Sequence, residues 1–518
     1  MPWMLLVLGL LLAAHGCAPT LKAGAVHTES TAVTVTDGTW LGRQFGPLAH
    51  GHPGESGFRL IDQGGNAFVL RTALADLAER SIDAQYFIWT NDAVGTILLE
   101  RLVRAADRGV RVRLLVDDIY LTGAGTAIAA LDAHPNIEIR IYNPVGARNP
   151  LRLGRRLDFL FEFGRLNHRM HNKLFVADNQ VAIAGGRNIA DAYFGVDPKF
   201  NLRDMDVVAA GPVVQQLSRG FDTYWNSRWA IPFSTLHATP SAKTLNRVYE
   251  RLQESTARHR EGFPFPIDAT SLPGRVAELR DHLIWAPGKA VWADPEAGPT
   301  GSRPGEPSEV GRTLGAVINA TRAELVTESP YLVPGEDLNV LRSLRARGVR
   351  VRMLTNSLAS TDEPPAYAVY AKDHRRMLEE GVGVYEVRPD ADSRRRYATH
   401  PTARLGLHAK LAVFDHDVIY IGSFNLDPRS LFLNTEVALI VYSPELAAQM
   451  LELLERDFRP ENAWRLALEA NGDGRKPDVV WITGESDAEV RYHRAPEAGF
   501  WRRLGARVYA LLPIRGQL

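Results

Sequence analysis

The chain has 518 residues, 45% hydrophobic and 23% charged, enough for two or three domains with cores of their own. Lysine plus arginine number 60 and aspartate plus glutamate number 60, so no net basic field exists to gather nucleic acid nonspecifically. A single cysteine, Cys17, excludes an intrachain disulfide.

In chain order, the first element is an apolar run over residues 3–14. Twelve residues rise only ~18 Å as a helix, against a hydrocarbon core of ~30 Å. The run therefore suits a signal-peptide centre better than a spanning anchor. Ala14-His15-Gly16-Cys17 resembles a bacterial lipobox, in which the cysteine is lipidated and residues 1–16 are removed. A plain secretory signal and an N-terminal helix with a buried free cysteine are the alternatives: no Lys or Arg precedes the run, and His15 departs from the usual pattern.

A strand-like run at 82–89 leads to a helical pattern at 96–107 and then to Arg108-Gly-Val-Arg-Val-Arg113. The same order returns later: strand-like 325–333, helical 337–347, then Arg347-Gly-Val-Arg-Val-Arg352. Strand, helix and strand with short connections predict βαβ units and a parallel sheet, hence an α/β fold. The period is far longer than the ~20–50 residues of a solenoid repeat, so it marks a duplicated domain. A Gly- and Pro-rich stretch at 287–307 separates the copies. The expected division is a leader at 1–16, a linker at 17–56, a first half at 57–235 and an insertion at 236–305. A second half at 306–462 and a C-terminal extension at 463–518 follow.

Each half carries one copy of His-x-Lys-x-x-x-x-Asp. The first is His171-Asn-Lys173-Leu-Phe-Val-Ala-Asp178 and the second His408-Ala-Lys410-Leu-Ala-Val-Phe-Asp415. At the same interval beyond each stands a Gly-led turn with an asparagine: Gly185-Gly186-Arg187-Asn188 and Gly422-Ser423-Phe424-Asn425. Residues two apart on a strand share a face, so His171 pairs with Lys173 and His408 with Lys410. Asp178 and Asp415 fall in the following turns, where short acids cap backbone N–H groups. Facing each other, the two motifs would present two histidines, two lysines and two amides to one phosphodiester. Lysine and amide donors suit its equatorial oxygens, with Asn188, Ser423 and Asn425 as candidate phosphate contacts. One neutral imidazole can attack phosphorus while the other, protonated, serves the leaving alcohol. The scheme requires no metal or cofactor, and the motif lacks a second imidazole or thiolate at ligand spacing.

These motifs resemble the phospholipase D superfamily. That resemblance implies two similar α/β/α sandwich halves sharing one active site at a pseudo-twofold interface. It also implies a nucleophilic histidine, here His171, and an acid/base histidine, here His408, with Asp178 and Asp415 in structural support. The family further places an acid on a later strand: Glu436 in the second half and, as its expected counterpart, Asp206 in the first. The segments Gly186-Arg-Asn-Ile-Ala-Asp-Ala-Tyr193, Ser329-Pro-Tyr-Leu-Val-Pro-Gly335 and Gly422-Ser-Phe-Asn-Leu-Asp-Pro-Arg-Ser430 are similar to bacterial cardiolipin synthases, the C-type branch above all. The implied reaction transfers a phosphatidyl group from one phospholipid to an alcohol on another, often phosphatidylglycerol.

Arginines precede each motif: Arg152, Arg155, Arg156, Arg165 and Arg169, then Arg388, Arg394, Arg395, Arg396 and Arg404. They suit an anionic lipid surface or a solvated loop equally. The alternating apolar run at 157–163 reads either as an acyl-chain contact or as a half-buried strand. From Phe500, apolar residues at helical spacing alternate with Arg502, Arg503 and Arg507, the pattern of an interfacial amphipathic helix or of a packed terminal one. The leading expectation is a membrane-surface phosphatidyltransferase in a bacterial envelope, anchored through Cys17 and facing the periplasm. A hydrolytic phospholipase D, a nucleic-acid phosphodiesterase and a catalytically dead lipid-binding protein remain as other readings. Neutral net charge argues against the nucleic-acid one, and no protein partner is readable.

Overall fold

The computed structural model describes residues 28–119, 125–145, 162–268, 271–297, 306–334, 338–470, 476–484 and 489–517. The apolar run at 3–14, Cys17, Arg152, Arg155, Arg156 and most of the 157–163 run lie outside them.

The first half is built on strands β1 (Ser56–Ile61), β2 (Ser81–Tyr86), β3 (Arg111–Asp117), β4 (Ile137–Tyr142), β5 (Leu174–Ala177), β6 (Val181–Gly185), β7 (Phe200–Arg203), β8 (Asp206–Ala210), β9 (Ala230–Pro232) and β10 (Ile284–Ala286). All but β7 form one sheet, in the order β10-β1-β8-β6-β5-β2-β3-β4-β9. Strands β2, β3 and β4 run parallel, and β2 is buried along its whole length, as a strand covered on both faces must be. Helix Ala93–Asp107 makes the crossover from β2 to β3. Asp92 caps it by accepting from the Gly95 N–H, and Gly109 ends it at φ +91°. Gly109 N–H donates to Ala106 and Val110 N–H to Ala105, the paired bonds that close a helix on a left-handed glycine.

The second half repeats this plan with β11 (Gly288–Trp292), β12 (Glu324–Glu328), β13 (Arg350–Asn356), β14 (Gly383–Val387), β15 (Arg404–Leu407), β16 (Leu411–Phe414), β17 (Val418–Gly422), β18 (Val437–Tyr442), β19 (Ala463–Glu469), β20 (Asp478–Thr483) and β21 (Val490–Tyr492). Its sheet order is β11-β18-β17-β16-β12-β13-β14-β19-β20-β21. The central run β8-β6-β5-β2-β3-β4 thus has its match in β18-β17-β16-β12-β13-β14. Gly348, at φ +76°, stops helix Leu338–Ala346 with the same two bonds as Gly109. Strand β11, inside the stretch expected as an insertion, opens the second sheet, and β19 to β21, inside the expected extension, continue it.

One apolar cluster joins the halves. Leu174, Val176 and Val207 of the first sheet meet Leu411, Val413 and Leu439 of the second, with Leu217 and Phe221 of helix Pro212–Trp225 and Met450 and Leu454 of helix Pro444–Asp457 in the same cluster. Backbone pairing also crosses the interface. Strands β7 and β15 run parallel from Arg404–Phe200 to Leu407–Arg203, and Met170 bridges Thr435. Arg203 anchors this seam from the first half: its buried guanidinium pairs with Glu328 and, at 2.6 Å, with Asp457, both buried in the second half. Replacing Arg203 by Met strands both carboxylates, and removing one partner from a buried ion pair costs about 3–5 kcal/mol. R203M should therefore lower the urea unfolding midpoint by that equivalent; a shift below about 1 kcal/mol, the scale of an exposed pair, would remove Arg203 as the anchor.

Candidate functional site

The two histidines stand where the chain leaves its pairing with the opposite half and enters its own sheet. His171 follows the Met170–Thr435 bridge, donates its backbone N–H to Thr435 at 2.9 Å, and precedes β5. His408 follows β15, donates its N–H to Arg203 at 2.7 Å, and precedes β16. Each imidazole then meets a buried acid from the other half. His171 Nδ1 donates to Glu436 at 3.0 Å, and His408 Nδ1 donates to Asp204 at 2.7 Å. With Nδ1 committed, Nε2 is left as the chemically available nitrogen of each ring.

The acid expected at Asp206 stands instead at Asp204. The sheet register explains the difference: Gly185 pairs with Asp206 and Gly422 with Ala438. Asp206 thereby corresponds to Ala438, and Asp204 to Glu436. The Asp206 carboxylate turns away to Arg71 at 2.8 Å and Arg187 at 3.3 Å. Gly186 makes room for Asp204, since a Cβ there would meet the Asp204 carboxylate at 2.2 Å. Ser423 stands at the matching place in the second half, and its hydroxyl is committed: it donates to Glu436 at 2.5 Å and accepts from the Val437 N–H at 3.0 Å. The structure thus places the Ser423 hydroxyl on Glu436 rather than toward a phosphate.

Lys173 and Lys410 are both buried, and each donates to the carbonyl of its own histidine. Lys410 Nζ also lies 3.2 Å from His408 Nε2. Asp178 and Asp415 sit outside this cluster, in the hairpin turns between β5 and β6 and between β16 and β17. Their φ values of 50° and 51° are left-handed, a conformation aspartate tolerates better than most residues. Asp178 accepts from the backbone N–H groups of Glu79, Arg80 and Ser81, and Asp415 from those of Arg322, Ala323 and Glu324. Each turn is thus tied to the start of a parallel strand, β2 or β12. Asn188 accepts from the Ile88 N–H, while its buried Nδ2 has no protein partner; Asn425 likewise keeps a buried side-chain oxygen without one. Aromatic edges close over both imidazoles: Phe87 meets His171 at 5.1 Å, and Tyr193 meets His408 at 4.9 Å with the rings perpendicular. Asp204 and Phe87 escaped the sequence reading. The one available signal for Asp204 was the Gly186/Ser423 mismatch between the copies.

Burial sets the electrostatics. It pulls His171 well below the ordinary imidazole value, and the charges of Lys173, Lys410 and Arg429 add to the pull. It lowers His408 to about 4, with Lys410 acting in the same sense and Asp204 opposing. Burial would raise Asp204, but the hydrogen bond from His408 and the charges of His408, Lys410 and Arg187 overcome it and hold the carboxyl at about 2. Glu436 is pushed up to about 7 by burial, against the pull of Lys173 and the Ser423 hydrogen bond. Burial also brings Lys410 down to about 8 and Lys173 well below its usual value. Near neutral pH the site therefore holds two neutral imidazoles beside lysines eased toward deprotonation. An anionic phosphodiester placed here would draw the lysines and imidazoles back toward their protonated forms.

Comparison with known proteins identifies the relatives of the chain. Residues 72–225 and 314–458 match the family model described as cardiolipin synthase, PLD-like domain. Cardiolipin synthase C of Escherichia coli is 34% identical over 483 residues, covering 90% of this chain and 97% of that protein. Cardiolipin synthase A of Pseudomonas putida is 26% identical over 421 residues, covering 80% of this chain and 71% of that one. The crystal structure of phosphatidylserine synthase from Haemophilus influenzae aligns over 78% of this chain and 86% of that one, with a TM-score of 0.51 at 14% identity, a likeness of fold.

The two neighbouring aspartates separate by substitution. D204N removes the anion that opposes the lowering of His408, so its imidazole pKa, read by nitrogen NMR, should fall further below about 4. D206N should leave that pKa in place and instead cost about 3–5 kcal/mol of stability, because buried Arg71 loses its partner. The reverse pattern would restore Asp206 as the supporting acid.

Proposed function

This chain belongs to the phospholipase D-like family of cardiolipin synthases, and we propose the following reaction for it. It is a phosphatidyltransferase that acts on phospholipids and forms cardiolipin from phosphatidylglycerol-type donors and acceptors. The observation that carries the mechanism is the exchange of acids across the interface, His171 with Glu436 and His408 with Asp204. His171 Nε2 attacks phosphorus, a P–N bond forms and the P–O bond to the leaving alcohol breaks. His408 Nε2–H gives that alcohol its proton. The roles of His408 then reverse: it takes the proton of the incoming alcohol, whose oxygen displaces His171 from the phosphohistidine. The assignment rests on asymmetry. His408 faces Asp204, a carboxylate held ionised, and so suits the imidazolium role; His171, lowered by burial and set beside Glu436, suits the neutral nucleophile. Lys173, Lys410, Asn188 and Asn425 contact the phosphoryl oxygens, and an anion entering the site favours the protonated His408.

The reading extends to the membrane surface. Among the described residues no helix is long and apolar enough to cross a membrane. Helix Phe500–Ala510 instead shows water its apolar side: Phe500 is 69% exposed, Trp501 79% and, just beyond the helix, Leu511 85%. Arg502 ties it to the carbonyls of Leu358 and Thr361. The chain continues from there to Gln517, which accepts from Asn167 at 2.7 Å and from Arg429 at 3.2 Å, beside the His171 side of the site. An exposed aromatic and aliphatic face with arginines suits an anionic bilayer. The same reading anchors the chain through Cys17 on the periplasmic side of the envelope.

Lipid mass spectrometry of a cardiolipin-deficient bacterium expressing the chain tests the reaction. Cardiolipin should form with the intact protein and be lost in H171A and H408A; phosphatidic acid without cardiolipin would make the enzyme a hydrolase. Sedimentation with phosphatidylglycerol vesicles tests the surface: W501E with L511E should reduce binding, and unchanged binding would move the contact elsewhere.

A further inference from the structure

The two halves share a plan but not a packing. Over the first sheet, helices Gly64–Leu77 and Ala93–Asp107 bury Phe68, Val94, Ile97 and Leu98 completely, and helix Ala242–Arg260 packs on the second of them. The matching layer of the second half, helices Glu309–Ala320 and Leu338–Ala346, leaves a cavity of about 700 Å³. Leu314, Ile318, Leu344, Met353 and Phe414 are among its walls, so the surface offered is mainly hydrocarbon. Its volume falls within the roughly 300–1,000 Å³ of small-molecule sites.

Two parts of this lining define what fits the cavity. Lys410 belongs to its lining and its Nζ is bonded at the His408 site, so one wall of the cavity adjoins the candidate phosphate position. The neighbouring acids there are already engaged: Glu328 with Arg203, and Asp427 with the Ser430 N–H at 2.7 Å. Elsewhere in the lining Val340, 40% exposed, and Phe432, 38% exposed, reach solvent. Water gains few partners along such walls, whereas a hydrocarbon chain is released from water by entering them.

We propose that this cavity takes one acyl chain of the phospholipid whose phosphate lies between His171 and His408. The inference rests on the phosphatidyltransfer reading and adds to it a tail site confined to the second half. The chain then positions phosphorus from behind Lys410, and the substrate class is a diester bearing a long hydrocarbon tail on the side of the second half.

Gly315 supplies a clean test. It lines the cavity from helix Glu309–Ala320, and a Cβ added there meets nothing within 4 Å, so G315W introduces an indole at the cavity wall from a position with room for its Cβ. The purified full chain is mixed with phosphatidylcholine vesicles containing phosphatidylglycerol with a diazirine near the end of one acyl chain, photolysed and mapped by peptide mass spectrometry. Label should appear on residues 314–318 and 344–353 in the wild type and in H171A, and disappear in G315W. Label confined to the Phe500–Ala510 helix, or cavity label that survives G315W, would overturn the proposal. The two readings fail separately: cardiolipin formation without cavity label removes the tail site alone, whereas cavity label without a lipid product removes the transferase reading alone.

Discussion

Each imidazole of the site is held by a carboxyl group that the other half contributes, His171 by Glu436 and His408 by Asp204. In the proposed reaction that exchange makes the interface a condition of the chemistry, because neither half alone holds His171 or His408 with its acid. The rest of the architecture serves to hold the exchange in register. Parallel pairing of β7 with β15, the Met170–Thr435 bridge and the buried Arg203 cluster all lie within a residue or two of the atoms they position. A shift of one residue along either seam would turn the acid to the wrong face.

Duplication preserved the frame and let the contents diverge. The helix stops at Gly109 and Gly348 and the capped turns at Asp178 and Asp415 are near copies, since they serve backbone geometry common to both halves. The acids differ. Aspartate is held ionised at about 2, and glutamate is raised to about 7 by burial that its neighbours only partly offset. Two histidines from one motif thus acquire unequal electrostatics, which suits the distinct nucleophile and acid of the proposed double displacement. The outer layers diverge as well: the mainly hydrocarbon cavity of about 700 Å³ lies under the helices of the second half.

Much of this is legible in the sequence. The βαβ units, the hairpin turns, the paired motifs and the duplication follow from periodicity and spacing, which local backbone preferences enforce. Three features were not. Asp206 was the expected acid, yet the pairing of Gly185 with Asp206 puts Asp204 opposite Glu436. Ser423 read as a phosphate contact but spends its hydroxyl on Glu436. Strand β11 lay in a Gly- and Pro-rich stretch that resembled a linker, and only its pairing with β18 makes it sheet. Each miss concerns a partner distant in the chain.

By itself, the sequence determined which residue types the chain could bring to a site, how often, and on what local scaffold. Those properties depend on neighbours within a few residues, through side-chain alternation, capping and left-handed turns. Tertiary structure alone decided which acid meets which histidine, how far burial moves their proton affinities, and where the packing leaves a cavity. These depend on register and desolvation across the interface, set by contacts between residues as far apart as His171 and Glu436, and no local pattern encodes them.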